Sequence, residues 1–348
     1  MADRKDFSRW LLEQPAARNK AALARITIAK ARIQNILDRD TVANQKTLEQ
    51  KIAEQGPVPL RVDPHLIGLA IKDLRELNRL ALHQHPAAPG KTWFANPGTA
   101  AARVTDKLVR IAPLHEMVSG HGFGNLTGDA LEVIVYKCLE AERQKKPAYA
   151  YLGSFELDQP KRGGRFHRSA PPKIIGSKKS SLEADFFQFG HSPGPLCIEC
   201  KNRREWIYPN DGAIDDLITL ATDLDIAPVL VARRLHYTTR TNLLEPAGII
   251  GHETYFQYYP SDKADLAALV KDKRSLGFTD VLATEEPHAR TSTFFATTLP
   301  QIVEPMATKW NRNKAALRSY ADGEINLPQL YDQIESPAAG NWQYFEED

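Results

Sequence analysis

Hydrophobic and polar residues alternate along this chain in a way that predicts helices first and a mixed succession of strands and helices later. Apolar residues recur at helical spacing over residues 16–54, with Lys and Arg interleaved. A second apolar stripe runs through HLIGLAIKDLRELNRLAL, directly after Asp63 and Pro64, a pair typical of a helix N-cap followed by proline in the first turn. The short aromatic segment KTWFA then predicts a strand.

Three helices followed by a short hairpin are the order expected of a winged helix-turn-helix domain. In that interpretation NQKTLEQKIAEQ precedes a candidate recognition helix over residues 64–81, and Lys72, Arg75 and Arg79 are candidate DNA-binding residues. Generic helical hairpins share the same pattern. Both interpretations of the N-terminal region therefore remain open at this point.

From residue 119 onward the pattern predicts an α/β fold. The segment SGHGFGNLTGDALEVIVYKCLEAERQKK is predicted to be a glycine-rich lead-in to a helix with Asp129 near its start. It lacks the G-x-x-x-x-G-K-[ST] spacing of a phosphate-binding P-loop. Gly, Pro and Ser predict a long basic loop over residues 161–180. Strands are predicted at 148–157, 183–189, 196–202, 227–234 and 247–260, and helices at 212–226 and from 261 onward. This order predicts a mixed-sheet core flanked by helices.

Charged residues interrupt two of the predicted strands, in SLEADFFQFGHSPGPLCIECKN (residues 181–202). Side chains alternate across a strand, so Glu199 and Lys201 project from one face of the second strand. If the two strands are antiparallel neighbours and their register allows it, Asp185 meets Glu199 at roughly 5 Å between Cβ atoms. Such buried carboxylates repel each other unless a cation neutralises them. The alternative is an ion pair between Glu199 and Lys201 on the surface of an edge strand.

A divalent cation is the simplest way to neutralise this pair of carboxylates. Mg²⁺ is commonly held by one or two carboxylates together with water and substrate phosphate, and Mn²⁺ is an expected substitute. The sequence therefore predicts a Mg²⁺ site with Asp185 and Glu199 as ligands. Lys201 beside them is predicted to hold the attacking water or to stabilise charge in the transition state.

The pattern Asp185, thirteen residues, then Glu199-x-Lys201 resembles the motif of the PD-(D/E)xK nucleases. The resemblance covers about residues 119–275, and it implies a restriction-endonuclease-like fold and metal-dependent phosphodiester hydrolysis. It implies that Asp185 and Glu199 bind the metal, that Lys201 is the catalytic lysine and that Glu132 is an auxiliary acid. Ala184 stands where the family has proline, and the loop over residues 158–182 is long for a minimal member.

Further residues are candidates for contact with nucleic acid. Asn202, Arg203 and Arg204 directly follow Lys201, and arginine suits bidentate contact with phosphates. Gln257, on a later predicted strand, is a candidate phosphate ligand or a sheet-surface glutamine. With the resemblance, three parts are expected: a helical domain over residues 1–115, a nuclease domain over 116–285 and a helical extension with an acidic tail over 286–348.

The net charge of +2 conceals an uneven distribution. Residues 1–110 hold 19 Lys/Arg against 11 Asp/Glu, and residues 141–180 hold 10 against 3. Such basic regions attract phosphates. The expected function is a Mg²⁺-dependent DNA endonuclease of restriction or defence, which by the resemblance acts as a homodimer on double-stranded DNA. A repair or recombination nuclease, a DNA-binding regulator with an inactive nuclease-like domain, and an enzyme acting on RNA or a nucleotide remain alternatives.

Cellular location is predicted from what the sequence lacks. No apolar run approaches the roughly 20 residues needed to cross a bilayer, and the first residues do not resemble a signal peptide. The chain contains three cysteines, too few for a disulfide framework. A cytoplasmic protein without membrane association is therefore expected.

Overall fold

The computed structural model describes residues 16–54, 62–159, 161–163 and 165–337, apart from the side chains of residues 16–19 and 121. Two compact units are present. One runs to Gly124 and includes Asp265–Val281, and the other comprises Asn125–Ala264 and the residues from Leu282 onward. The predicted acidic end, residues 338–348, lies outside the described residues.

Up to Gly124, the N-terminal unit combines four helices with a small antiparallel sheet, and its second segment, Asp265–Val281, holds most of a further helix (Ala264–Lys271). Its elements are α1 (Ala16–Asp40), β1 (Ala43–Asn44), α2 (Gln45–Glu49, continued by a π-helical turn Gln50–Glu54), α3 (Pro64–Glu76), β2 (Ala81–His83), β3 (Trp93–Ala95) and α4 (Ala101–Ser119). The strand order is β1-β3-β2, with all pairs antiparallel. The apolar stripe of α3 (Leu66, Ile67, Ala70, Ile71 and Leu74) is buried, as the helical spacing predicts.

Helix α3 begins as predicted, with Asp63 at the N-cap and Pro64 in the first turn. It ends at Glu76, five residues before the predicted end. The reason lies in Asn78, which has a left-handed backbone conformation with φ of 53° and thereby stops the helix. Arg79 consequently lies in the turn after α3 and not on the helix itself.

The second unit is a mixed α/β structure. Its elements are α5 (His121–Lys145, whose first residues belong to the other unit), β4 (Ala150–Leu152), β5 (Ser154–Glu156), β6 (His167–Ser169), β7 (Ile174–Ile175), β8 (Lys178–Lys179), β9 (Phe186–Phe189), β10 (Leu196–Lys201), α6 (Gly212–Leu224), β11 (Ala227–Ala232), α7 (Glu245–Ala247, after the π-helix Thr239–Leu244), β12 (Ile250–Glu253) and β13 (Gln257–Tyr259). Helix α8 (Ala264–Lys271) belongs to the N-terminal unit from Asp265 onward, as does the first residue of β14 (Val281–Ala283). The second unit then continues with α9 (Ala289–Thr293), α10 (Leu299–Ala321) and α11 (Leu327–Gln333).

A five-stranded sheet forms the centre of this unit, in the order β12-β11-β10-β9-β4. Strand β10 pairs parallel with β11, which in turn pairs parallel with β12, whereas β9 runs antiparallel to β10 and β4. Every residue of β11 is buried, because this apolar strand has parallel partners on both sides. Helix α6 is capped by Asp211, whose side chain accepts a hydrogen bond from the N–H of Ala213 at 2.9 Å. The predicted mixed sheet with flanking helices is confirmed.

Some predicted strands are interrupted. The strand over residues 148–157 breaks at Gly153, which has φ of 96° and passes so close to the Asp185 carbonyl oxygen that a Cβ would lie 2.6 Å from it. The strand over 247–260 breaks at Tyr255, which is also left-handed, with φ of 65°. The basic loop over residues 161–180 contains β6, β7 and β8, which form two small hairpins, β5 with β6 and β7 with β8.

Helix α5 begins at His121, well before the predicted glycine-rich lead-in ends. The prediction that Asp129 lies near the helix start is therefore wrong, and Asp129 lies in the third turn. In the part of the chain that the structure describes, none of the helices is long and apolar enough to cross a bilayer.

Candidate active site

The antiparallel pair of strands β9 and β10 brings Asp185 and Glu199 together. Ile198 is paired with Phe186, and the N–H of Asp185 donates a hydrogen bond to the Ile198 carbonyl at 3.2 Å. Continuing this register by one residue places Asp185 opposite Glu199, the arrangement that the sequence predicts. The Asp185 side chain is fixed further by the N–H of Cys200, which donates to its Oδ2 at 2.7 Å.

The alternative of an exposed ion pair on an edge strand does not match the structure. Lys201 does form an ion pair with Glu199. However, β10 lies between β9 and β11 in the sheet, and only 14% of the Glu199 side chain is exposed. The pair is thus part of a partly buried charged cluster at the end of a central strand.

Helix α5 adds Glu132 to this cluster, and an arginine links it to Asp185. Nη2 of Arg168 donates to Oδ1 of Asp185 at 2.9 Å. Its Nε lies 3.2 Å from Oε2 of Glu132. One guanidinium group therefore spans two carboxylates that come from a helix and a strand. One turn earlier on α5, Asp129 accepts hydrogen bonds from Arg165, one of them at 2.6 Å.

Arg168 is the residue of this cluster that the sequence analysis missed. It lies on β6, inside the segment predicted to be a loop. The only signal in the sequence is the excess of basic residues over 161–180, which does not distinguish Arg168 from its basic neighbours. Contact with the acids depends on the path of the β5–β6 hairpin, which the sequence pattern does not specify.

Burial raises the pKa of each carboxyl group in the cluster. For Glu132, burial and the nearby Asp185 charge raise the pKa to about 8. For Glu199, the same two causes raise it to about 7. Burial also raises the pKa of Asp185, against the opposing effects of the Cys200 N–H and Arg168. Without further positive charge, the ionised state of this cluster is costly.

The Lys201 ammonium group responds in the opposite sense. Burial lowers its pKa, but the adjacent Glu199 carboxylate more than offsets that effect, and the pKa is raised overall. Lys201 is therefore a cation at neutral pH. Together with Arg168, it partly compensates the three carboxylates.

The donor set of this cluster fits a hard divalent cation. Asp185, Glu132 and Glu199 provide only oxygen atoms, which Mg²⁺ and Mn²⁺ prefer. Oε2 of Glu199 is buried and accepts no hydrogen bond from the described residues. Asp185 and Glu199 are the residues that would hold the ion, and Glu132 lies near enough to Asp185 to share one guanidinium with it.

Asn202 and Gln257 are buried, in contrast to the predicted contact with phosphate. The Asn202 amide donates to the carbonyls of Thr127 and Tyr258, at 2.5 and 2.7 Å, and its Oδ1 accepts from the N–H of Tyr258 at 3.0 Å. Gln257 donates to the Asn202 carbonyl at 3.3 Å. These bonds connect α5, β10 and β13. Both amides therefore have a structural role next to Lys201 in the sequence and the fold.

The two arginines after Asn202 remain partly exposed. Arg203 forms an ion pair with Asp211, the N-cap residue of α6, and Arg204 donates to Oε1 of Gln257 at 3.2 Å. The buried Arg233 holds this loop in place, since its guanidinium donates to the carbonyls of Arg203 and Arg204. Arg203 and Arg204 thus lie at the end of β10 with guanidinium groups that also have partners in the protein.

The remaining candidates belong to the N-terminal unit. Lys72 and Arg75 are exposed on α3, and Arg79 is exposed in the following turn. Lys72 and Arg75 thus lie outside the buried apolar stripe of α3. This position is compatible with contact to a nucleic acid.

No protein-family model, curated protein or solved structure matches this chain. The geometry of the charged cluster and the motif that carries the resemblance are therefore the basis for a functional proposal.

Proposed function

We propose that this protein is a divalent-cation-dependent nuclease that hydrolyses phosphodiester bonds in DNA. The observation that carries the proposal is the position of Asp185 opposite Glu199 at the ends of β9 and β10, with Lys201 two residues further along the same strand. Two carboxylates and an ammonium group in this arrangement match the PD-(D/E)xK motif. Glu132 on α5 matches the auxiliary acid that the resemblance implies.

The order of elements supports the same proposal. The helix α5 is followed by the antiparallel strands β4, β9 and β10, then by α6 and by the parallel strand β11. We accordingly propose that the second unit has the restriction-endonuclease-like core that the resemblance implies. Restriction or defence against foreign DNA is the proposed biology, with repair or recombination as the alternative, and a cytoplasmic homodimer is the proposed assembly.

In the proposed mechanism each residue of the cluster has its own task. A bound Mg²⁺ supplies a Lewis acid that polarises the phosphate and lowers the pKa of water. Asp185 and Glu199 would hold the ion, and the N–H of Cys200 keeps the Asp185 carboxylate in position. Lys201 donates a hydrogen bond to the attacking water or to the phosphate oxygens that gain charge. Arg168, which lies beside both Glu132 and Asp185, would be the guanidinium group available to contact the scissile phosphate.

The direct test is cleavage of supercoiled plasmid DNA by the purified full chain. We expect nicked or linear product with MgCl₂ or MnCl₂ and none with EDTA. The Glu199→Gln variant keeps the size of the side chain but removes the carboxylate, and it should be inactive. As a matched control, Glu156→Gln changes an exposed glutamate on β5 and should cut like the wild type.

Absence of cleavage on plasmid, methylated and branched DNA with either metal would contradict the proposal. Linear product that appears without accumulation of nicked circles would support concerted cutting of both strands, as expected of a dimer. Cleavage of RNA in place of DNA would keep the chemistry and change the substrate.

A DNA-binding regulator with an inactive nuclease-like domain is the second candidate. One observation favours it: Arg168 and Lys201 already form ion pairs with Glu132, Asp185 and Glu199. A site that is neutralised by its own residues has less need of a metal. Calorimetric titration with MgCl₂ discriminates between the nuclease and the regulator. A regulator with an inactive domain should not bind Mg²⁺ at this cluster, whereas the nuclease should.

DNA binding is proposed for the N-terminal unit. The order α1, β1, α2, α3, β2, β3 with a β1-β3-β2 sheet supports a winged helix, in which α3 is the recognition helix and β2–β3 the wing. We expect Arg75→Ala/Arg79→Ala to weaken duplex binding and to reduce the slope of log affinity against log salt by about 1.8. Fluorescence anisotropy from 50 to 300 mM NaCl measures both quantities.

The control variant for this experiment is Arg103→Ala/Arg110→Ala. It removes two exposed arginines of α4 in the same unit and therefore changes the net charge equally. An equal loss of affinity in both double variants would indicate non-specific attraction and would contradict a specific role for α3.

A further inference from the structure

A second group of cationic residues lies beside the proposed active site, at the carboxyl ends of the parallel strands. Tyr255, between β12 and β13, has the guanidinium carbon of Arg290 at 3.8 Å from its ring centroid and that of Arg234 at 4.3 Å. Both guanidinium groups therefore lie within cation–π distance of one tyrosine ring. The two arginines come from the residues after β11 and from α9.

Backbone hydrogen bonds connect this arginine–tyrosine cluster (Arg234, Tyr255 and Arg290) to the strand of Lys201. The N–H of Arg233 donates to the Lys201 carbonyl at 3.2 Å, and the N–H of Tyr255 donates to the Arg233 carbonyl at 3.1 Å. Two strand spacings of about 4.8 Å thus separate Lys201 from Tyr255, about 10 Å in all. A DNA strand covers this distance in about three nucleotide steps of 3.4 Å rise.

A third arginine lies close to the same strand end. Arg240 lies near the cluster, and its Nη1 is 3.8 Å from Oε2 of Glu253. Glu253 at this strand end is buried, and its Oε1 accepts a hydrogen bond from the N–H of Leu235 at 3.0 Å. Arg290 binds the backbone carbonyl of Glu253 at 2.6 Å with its Nε. Arg240 and Arg290 therefore both lie beside Glu253, whose carboxylate also accepts a backbone hydrogen bond.

Two features indicate a functional cluster and not only a structural one. Arg290 is exposed and Arg234 is partly exposed, so both are within reach of a ligand. Tyr255 adopts φ of 65°, a conformation that is uncommon for a bulky residue and that concentrates at functional sites. The carboxyl ends of parallel strands are also where ligands bind in open α/β sheets.

We propose that the arginine–tyrosine cluster binds backbone phosphates of the DNA strand that extends from the proposed active site. Tyr255 acts as a positioning residue that fixes both guanidinium groups by cation–π contact, and Arg234 and Arg290 contact phosphates of neighbouring nucleotides. This inference rests on the proposed function for the identity of the polymer, but it concerns binding and not cleavage.

The test measures the binding of a fluorescein-labelled 20-base-pair duplex to the full chain in EDTA, where no metal-dependent cleavage occurs. We expect Arg234→Gln/Arg290→Gln to weaken binding at least about tenfold at 100 mM NaCl and to lower the salt slope by about 1.8. The charge-matched control, Lys309→Gln/Arg312→Gln on α10, should change affinity less than twofold. An unchanged affinity and slope in the cluster variant would overturn the proposal.

Further variants separate binding from folding and from chemistry. Arg234→Gln alone should lower the slope by about 0.9, and Tyr255→Asn, which tolerates a positive φ, should weaken binding without changing the net charge. If Arg234→Gln leaves the salt slope unchanged, Tyr255→Asn leaves the affinity unchanged, and both variants are folded by circular dichroism, the cluster has no role in binding. Loss of binding in these variants, together with a wild type that never cuts DNA, would keep the phosphate site and reject the nuclease. If the wild type cuts DNA and the variants bind DNA with unchanged affinity, the nuclease proposal stands and the phosphate site is rejected.

Discussion

Replacement of Lys201 by Ala is expected to lower the rate of DNA cleavage by about 10²- to 10³-fold. Lys201 is the cation at the end of β10 next to Glu199, and the proposed mechanism requires its hydrogen bond where negative charge develops. The loss should appear in kcat, since other residues bind the DNA. Single-turnover cleavage of a labelled duplex at saturating enzyme measures this rate without interference from product release.

The control for this experiment is Lys137→Ala on α5. Lys137 forms an ion pair with Glu286 and has 27% of its side chain exposed, close to the 30% of Lys201. It should retain full activity, because it does not contact the carboxylate cluster. Cleavage by Lys201→Ala within about threefold of the wild-type rate, at equal affinity for DNA, would remove Lys201 from the mechanism.

The free energy of unfolding of the metal-free protein is expected to fall as the pH rises from about 4.5 to about 8. The pKa of Glu132 is about 8 and that of Glu199 about 7 in the folded state, against an ordinary value of 4.5. Between these values the folded state binds more protons than the unfolded state, so the stability decreases with pH and levels off above about pH 8. The decrease should be on the order of a few kcal/mol.

Mg²⁺ is expected to reverse this loss. Binding of the ion replaces the protons on the carboxylates, so its stabilising effect should increase from pH 5 to pH 8. Urea unfolding at several pH values, in EDTA and in 10 mM MgCl₂, measures both effects. Glu132→Gln should flatten the pH dependence in EDTA, whereas the exposed Glu156→Gln should not change it. A stability that is independent of pH and of Mg²⁺ would contradict a cation site at this cluster.

Arg168→Ala is the informative companion variant. It removes the guanidinium that spans Glu132 and Asp185, and the metal-free protein should lose about 2–4 kcal/mol of stability at pH 8. Mg²⁺ should restore more stability to this variant than to the wild type, because the ion then replaces the positive charge that Arg168 no longer provides to Glu132 and Asp185. An equal effect of Mg²⁺ on both proteins would mean that Arg168 and the ion act at separate places.

Local sequence patterns were sufficient for the elements that have a strong hydrophobic period. The apolar stripe of α3, the amphipathic α6 and the buried β11 all form where the sequence predicts them, because burial of a periodic apolar face decides each one. The antiparallel pairing of β9 with β10 was predictable for a related reason. A short Gly/Pro turn leaves two apolar strands few other partners, and their alternation then fixes Asp185 opposite Glu199.

Contacts between residues that are distant in the sequence were decided by the tertiary structure alone. The charges of Arg168 and Arg165 meet the acids of α5 only because the β5–β6 hairpin passes that helix. The breaks at Gly153 and Tyr255 arise from local backbone geometry next to Asp185 and Arg233, within segments whose composition is typical of continuous strands. The sequence by itself determined the carboxylates and the lysine of the candidate site and the class of the fold. The tertiary structure decided which cations lie next to those carboxylates and which amides are buried in structural hydrogen bonds. Both depend on packing between residues that are distant in the sequence, which a local hydrophobic period does not specify.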